Sequence, residues 1–111
     1  MDEGYSISAM VEAKARAREL TKQTGILHVV EYDGDMLMIT ESSRLECADG
    51  ELLKIGDFVL FDNLMPVWVV VDVQELSCDV IEVHLRTPKG DAKTRRMVES
   101  CKGFRHYTKE G

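Results

Sequence analysis

Residues 26–41 read ILHVVEYDGDMLMITE, two β-prone runs joined by Asp33-Gly34. The first run covers residues 26–32 and the second covers residues 35–41. Valine, isoleucine and tyrosine favour extended backbone, and an Asp-Gly pair supplies the positive φ angles that a two-residue hairpin turn requires. The stretch therefore predicts an antiparallel hairpin, and the segments on either side of it must be compatible with a sheet.

Upstream of the hairpin, residues 6–23 show the period of a helix. Their apolar side chains recur at spacings of three and four and form one narrow stripe, made of Met10, Ala13, Ala17 and Leu20. Ser6 or Ser8 is suited to cap the helix N-terminus, and Gly25 suits the left-handed residue that follows the C-terminus. We expect this helix to pack on the sheet.

Downstream, apolar runs at residues 58–61, 67–73 and 80–86 predict three strands. Turns are expected at 49–50 and 55–57, loops at 63–66 and 75–79, and a proline–glycine turn at 87–90. A basic strand over 93–98 and a short last strand over 104–107 complete the pattern. The predicted fold class is α+β, with an N-terminal helix packed on a small antiparallel, SH3-like or partly barrelled sheet. A single domain would span 1–111, with a helix-plus-hairpin part (6–41) and a barrel-like part (45–109).

Residues 49–59, DGELLKIGDFV, resemble the opening of SH3-like small barrels, in which a Gly-Asp pair precedes a long strand. The chain is also similar to small phage and mobile-element accessory proteins that end in a short basic strand, here residues 104–109. The resemblance covers about residues 45–109. It implies a non-enzymatic accessory module and a phage setting, and it supplies no functional residues.

Composition indicates the cellular location and the redox state of the cysteines. The longest apolar run, residues 66–71, has the length of a strand and is far below the roughly 18–20 residues that cross a membrane. The acidic first residues lack the basic and apolar regions of a signal peptide, so we expect a cytoplasmic location, which would be the host cytoplasm for a phage-encoded chain. The odd set of Cys47, Cys78 and Cys101 predicts free thiols.

Charge is sorted into blocks along the chain. Residues 26–85 contain thirteen carboxylates and two cations, whereas residues 86–111 contain eight cations and three carboxylates. Such an asymmetry selects the sign of a partner. One hypothesis is a protein partner with a basic, nucleic-acid-binding groove, as for an inhibitor of the anti-CRISPR type. The acidic candidates are Glu31, Asp33, Asp35, Asp49, Glu51, Asp62, Asp72, Glu75 and Asp79. The simpler alternative is a solvated acidic surface.

Apolar bulk beyond the needs of a small core suggests a contact region as well. Methionine and tryptophan are enriched at interface centres, and the candidates are Met36, Met38, Met65 and Trp68. Leu64 and Met65 fall in the loop predicted at 63–66, which a core cannot easily cover. Such a region would contact the protein partner or a second copy of the chain, and core packing is the alternative.

The basic end offers an alternative function, an SH3-like module that binds nucleic acid or ribonucleoprotein. Arg95 and Arg96 would point to opposite faces of one strand and cannot join a single patch. The net charge of −6 also disfavours direct binding of nucleic acid. An acidic protein partner, or internal pairing with the acidic strands, are further alternatives. The candidates are Lys89, Lys93, Arg95, Arg96, Lys102, Arg105 and Tyr107.

Enzyme and metal signatures are weak. Cys101 and His106 lie five apart and Cys78 and His84 lie six apart, and neither spacing matches a common zinc pair. No nucleophile elbow or glycine-rich oxyanion loop accompanies these residues. We therefore expect no enzymatic activity, no catalytic residues, no metal and no cofactor.

Overall fold

The structure is a computed structural model that describes residues 3–61, 64–77 and 80–108 of the chain. The backbone divides into two compact units, Met1–Ser42 and Ser43–Gly111. The first unit contains one helix and a three-stranded antiparallel sheet, and the second contains a five-stranded antiparallel sheet. The predicted α+β class is confirmed.

In chain order the first unit contains strand β1 (Glu3–Ser6), helix α1 (Met10–Thr24), strand β2 (His28–Asp33) and strand β3 (Met36–Glu41). The strands lie in the order β1-β3-β2. Helix α1 packs on β2 and β3. Its buried face consists of Ala13, Ala17 and Thr21, and the facing sheet positions Leu37 and Ile39 are also buried.

The prediction that the helix begins at residue 6 is wrong. Ser6 belongs to β1 and pairs with Met36, and a single 3-10 turn at Ile7–Ala9 leads into the helix. The N-cap residue is Ala9, so neither predicted serine cap forms. The predicted C-terminus is confirmed, because Gly25 has a φ of 81° and its N–H donates to the Thr21 carbonyl at 2.8 Å.

The hairpin is confirmed with its turn one residue later than predicted. Asp33 pairs with Met36, which leaves Gly34 and Asp35 as the central residues of the turn. Gly34 has a φ of 63°, the left-handed value that the first position of a primed turn requires. The strands that flank it are therefore 28–33 and 36–41.

In the second unit the strands are β4 (Phe58–Phe61), β5 (Leu64–Ser77), β6 (Val80–Arg86), β7 (Lys93–Val98) and β8 (Phe104–His106). They lie in the order β7-β6-β5-β4-β8 and all pairs are antiparallel. Single 3-10 turns lie at Ser43–Leu45 and Cys101–Gly103. The predicted bounds of β4, β6 and β7 are confirmed, and β8 ends one residue earlier than predicted.

Strand β5 is longer than its apolar run, so the loops predicted at 63–66 and 75–79 are wrong for residues 64–66 and 75–77. The start of β5 pairs only with β4, and pairing with β6 begins at Val69. Pro66 lies in this one-sided part, beside a register shift between Val59 and Phe61. A proline is tolerated there because no ladder needs its missing N–H.

In the residues described, the five-stranded sheet is not closed, since no pairing joins β7 to β8. In a flat sheet β7 and β4 would lie about 14 Å apart, three strand spacings. The Arg96 guanidinium of β7 nevertheless lies 3.7 Å from the centre of the Phe61 ring of β4. The contact crosses the two intervening strands, β6 and β5.

The core of the second unit lies on one face of this sheet. Ile81, Val83 and Leu85 alternate onto that face of β6, and the Phe104 ring of β8 is fully buried and meets Phe61 edge-on at 5.3 Å. Cys47 and Cys101 are buried free thiols, as predicted, while Cys78 lies outside the described residues. The described chain includes no helix of the length and apolar character that a membrane crossing demands.

Candidate functional site

The first candidate surface is one face of the hairpin. Cross-strand partners share a face of a sheet, and the register pairs Glu31 with Met38 and Asp33 with Met36. The opposite face of β3 carries the buried Leu37. We call Glu31, Asp33, Asp35, Met36 and Met38 the acidic hairpin face; the three carboxylate residues are exposed and Met36 is 45% exposed.

Glycine at position 4 lets the two methionines cover strand β1. Gly4 pairs with Met38, and a Cβ at this position would lie 3.1 Å from the Met36 Cε and 3.4 Å from the Met38 sulfur. The thioether side chains therefore rest over bare backbone and extend the face onto β1. Sequence reasoning missed Gly4 because strand β1 was not predicted.

The carboxylates of this face are not neutralised within the described residues. Neither an ion pair nor a side-chain hydrogen bond is shown there for Glu31, Asp33 or Asp35. Residues 26–42 contain four carboxylates and no lysine or arginine. The negative charge of the acidic block is thus not matched by any lysine or arginine within residues 26–42.

Most described acidic candidates of the second unit have internal partners. The Arg44 guanidinium donates to Glu75 at 2.6 Å, and the Val73 N–H donates to Asp72 at 2.9 Å. Asp49 is held by His106, as described below. Glu51 is exposed and its side chain has no partner in the described part of the chain. Asp62 and Asp79 lie outside the described residues.

The two remaining apolar candidates belong to the second unit. Trp68 is half-buried on β5 and pairs with Val59. The backbone of Met65 lies in β5 rather than in the expected loop tip, and its side chain lies outside the described residues. Only Met36 and Met38 therefore share one described surface.

The basic candidates are largely engaged inside the second unit. Lys102 forms an ion pair with Glu46, and Arg95 lies 3.7 Å from Glu82. Arg96 lies over the Phe61 ring. Arg95 pairs with His84 and Arg96 with the buried Val83, which confirms that the two arginines point to opposite faces. The other candidates are at least partly open to solvent: Lys89, Lys93, Arg105 and Tyr107.

A nearly buried carboxylate lies on the other face of β6. Glu82 accepts hydrogen bonds from His84 Nε2 at 2.6 Å and from Gln74 Nε2 at 2.7 Å. These bonds, with Arg95 nearby, outweigh the effect of burial and hold the pKa of Glu82 below its ordinary value. Glu82 thus lies next to polar side chains from three strands: Gln74 of β5, His84 of β6 and Arg95 of β7.

A second cluster surrounds His106 at the end of β8. Its Nε2 lies 2.7 Å from Asp57 Oδ2 and its Nδ1 lies 3.0 Å from Asp49 Oδ2. Burial lowers the pKa of His106, but the hydrogen bonds to Asp57 and Asp49 outweigh it and raise that pKa above 6.5. The imidazolium form donates to both carboxylates.

A tight turn and backbone hydrogen bonds hold the Asp49 carboxylate in place. The Gly50 N–H donates to the Cys47 carbonyl at 3.0 Å and closes the turn that carries Asp49. Asp49 also accepts the backbone N–H groups of Glu51 and His106. Although burial raises the pKa of Asp49, these bonds outweigh it and lower that pKa.

Cys47 completes the His106 cluster. Its sulfur is a candidate ligand atom that lies with Asp49 and His106 ligand atoms, all within 4.8 Å of one another. Burial, with the nearby Cys101, raises the pKa of the Cys47 thiol to about 12. Sequence reasoning paired His106 with Cys101 on spacing alone. The turn at 47–50 is joined to β8 by the Ala48 N–H, which donates to the Phe104 carbonyl at 2.9 Å, and by the His106 N–H, which donates to Asp49.

Comparisons with protein-family models, with curated proteins and with solved structures found no match to this chain.

Proposed function

We propose that the protein is a non-enzymatic protein-binding module that presents the acidic hairpin face to a basic groove on a larger complex. The complex would process nucleic acid or act in defence, and the protein would be a phage-derived inhibitor of the anti-CRISPR type, working in the host cytoplasm. One observation supports this above the others: on one hairpin, exposed carboxylates that have no partner among the described residues flank two methionines.

Each component of the face has a physical role in such binding. Carboxylates occupy the positions of phosphates opposite lysine and arginine, and the summed negative field accelerates association at low salt. Methionine side chains adapt to an irregular surface and supply desolvated apolar contact. The sheet fixes the spacing of both because every residue of the face is held in the β2–β3 ladder or in its turn.

The distribution of charge favours the hairpin over the second unit. The first unit contains eight carboxylates and four cations, and the four cations all lie in α1. The second unit contains twelve carboxylates and ten cations, and several of these pair with each other. A basic partner would therefore be attracted most strongly to residues 26–42.

The experiment measures inhibition of nucleic-acid-guided nuclease complexes by the purified protein. DNA binding and cleavage are assayed across a panel of such complexes with increasing protein. We expect inhibition of at least one member by competition with DNA, weakening as salt rises. Glu31→Lys combined with Asp33→Lys should abolish it.

The matched control is Glu12→Lys combined with Glu51→Lys. It changes the net charge equally at two exposed sites that do not belong to the hairpin face. Circular dichroism checks the folding of each variant. Equal inhibition by the control and the hairpin variant would refute the role of this face, and no inhibition across the panel would refute the proposed class of partner.

Charge and apolar contact can be separated kinetically. Met36→Ala with Met38→Ala should mainly raise the dissociation rate, whereas the charge-reversed hairpin should mainly slow association. Surface plasmon resonance against the inhibited complex measures both rates. Retention of the free protein on DNA at low salt, lost in Arg95→Glu with Arg96→Glu, would instead indicate the nucleic-acid-binding alternative.

A further inference from the structure

The His106 cluster has a chemical character that the proposed binding function does not use. A thiol, a carboxylate and an imidazole converge from a turn at 47–50 and from strand β8, 57 residues apart in sequence for Asp49 and His106. Sulfur, nitrogen and oxygen donors of these three kinds are the ligands that zinc takes in proteins. The cluster lies within the second unit, away from the hairpin in sequence.

The distances fit a metal ion with little movement. Zinc bonds of about 2.3 Å to sulfur and 2.0–2.1 Å to nitrogen, at a tetrahedral angle, place the two ligand atoms about 3.5 Å apart. The candidate atoms of Cys47, Asp49 and His106 already lie within 4.8 Å of one another. Shifts of about 1 Å or less in side-chain atoms would bring them to bonding positions.

Asp57 provides a second observation that points the same way. It accepts from His106 Nε2 at 2.7 Å, which leaves Nδ1 on the side of Asp49, 3.0 Å from Oδ2. Histidine ligands in metal sites commonly donate their other N–H to a carboxylate, which fixes the ring and makes the ligating nitrogen more basic. The Lys54 N–H holds Asp57 in turn, at 2.9 Å from Oδ2.

We propose that Cys47 Sγ, an Asp49 carboxylate oxygen and His106 Nδ1 bind one divalent transition-metal ion, for which Zn²⁺ is the best match. Asp57 is the positioning residue that orients the His106 ring. Cys47 is fully buried, whereas Asp49 and His106 are partly open to solvent, so the ion would enter from their side. Three protein ligands leave the fourth tetrahedral position to water.

Binding exchanges protons for the cation. The Cys47 thiol gives up its proton to solvent. The His106 imidazolium likewise releases its Nδ1 proton to solvent, so that Nδ1 binds the metal through its lone pair while Nε2–H stays on Asp57. A bound cation deprotonates a coordinating thiol even where the metal-free thiol resists ionisation. The ion would join the 47–50 turn to β8 and so secure the C-terminal strand of the second unit.

Cobalt(II) is a suitable probe because a thiolate ligand gives a near-ultraviolet charge-transfer band and tetrahedral coordination gives intense visible d–d bands. The full chain, stripped with chelator and kept reduced, is titrated with Co²⁺ and then with Zn²⁺. We expect both band systems to saturate at one equivalent and Zn²⁺ to remove them. A titration without a saturable charge-transfer band would overturn the proposal.

Variants identify the ligands. Cys47→Ser should lose the charge-transfer band, whereas Cys78→Ser with Cys101→Ser, whose only thiol is Cys47, should retain it. Asp57→Asn should weaken Co²⁺ binding about 10- to 100-fold, and the control Asp35→Asn should not. A band that persists in Cys47→Ser, or that disappears in the double variant while circular dichroism remains native, would refute the assigned ligands.

A measurement on the unmodified chain removes any dependence on variant folding. X-ray absorption at the zinc edge of the one-equivalent complex should show one sulfur at about 2.3 Å and nitrogen or oxygen neighbours at about 2.0–2.2 Å. A first shell without sulfur would exclude Cys47 and overturn the site. This readout is independent of inhibition by the hairpin face, so the two proposals stand or fall separately.

Discussion

Glu82 and Glu31 illustrate how differently two carboxylates of one acidic block are used. Glu82 is only 5% exposed and accepts hydrogen bonds from His84 and Gln74, so its charge is held by neighbours on its own sheet. Glu31 is exposed and has no described side-chain partner. A buried carboxylate must be paired to remain ionised, whereas an exposed one is available to a partner. Residue counts alone could not make this distinction.

Glu82→Gln should destabilise the protein at neutral pH and have little effect in acid. The pKa of Glu82 in the folded state lies below its ordinary value of 4.5. Its contribution to stability is therefore present above about that pH and is lost as pH falls through the folded-state pKa. Urea unfolding should give a lower midpoint for the variant at neutral pH, and the two midpoints should converge in acid.

The control is Glu51→Gln, which removes an exposed carboxylate without a described side-chain partner. Its midpoint should follow that of the unmodified protein at every pH. A Glu82→Gln deficit that stays constant from neutral pH into acid would show that shape rather than charge is responsible.

At the scale of elements, the sequence pattern predicted the strands that lie between recognisable turns and missed those defined by tertiary pairing. The bounds of β4, β6 and β7 follow from runs of suitable residues between turns. Strand β1 is short, with the sequence EGYS, and it exists because β3 offers an edge to pair with. Strand β5 continues through Pro66 because only one neighbour borders it there. Both features depend on which strands lie alongside, and the local sequence does not contain that information.

The small alanine side chains of helix α1 allow it to pack closely on the sheet, and a pair of variants tests this. Ala13 is fully buried, whereas Ala15 is exposed on the same helix. Ala13→Leu should cost about 1–3 kcal/mol of unfolding free energy because the added atoms find no space. Ala15→Leu should change it by no more than about 0.5 kcal/mol. Urea denaturation followed by circular dichroism gives both values.

Equal stability of the two leucine variants would contradict this packing. The comparison is matched because both substitutions add the same atoms at helix positions two residues apart and change helix propensity equally.

At the scale of the whole molecule, the charge blocks of the sequence do not coincide with the two units. The acidic block of residues 26–85 crosses the boundary at Ser42 and Ser43. Within the second unit, ion pairs such as Lys102 with Glu46 join the basic end to the acidic block over 56 residues of sequence. The opposite net charges of the two blocks could predict that they pair, but not which residues form the ion pairs. The His106 cluster also depends on long-range pairing and could not be assembled from spacing.

Strand β8 links the end of the second unit to its beginning, so nearly the whole length of the unit is needed to complete its core. The Phe104 carbonyl accepts from the Ala48 N–H, and the Phe104 ring fills the core, so residues far apart in sequence complete one structure. Phe104→Ala should cost about 3–5 kcal/mol, a large part of the roughly 5–15 kcal/mol that stabilises a small protein. Tyr107→Ala is the control because Tyr107 is 41% exposed, and surface changes of this kind cost little. Urea unfolding followed by Trp68 fluorescence reports on the second unit directly.

A Phe104→Ala midpoint equal to that of Tyr107→Ala would mean that β8 is not part of the cooperative core. The metal ion proposed at His106 would then join the 47–50 turn to a strand that contributes nothing to folding.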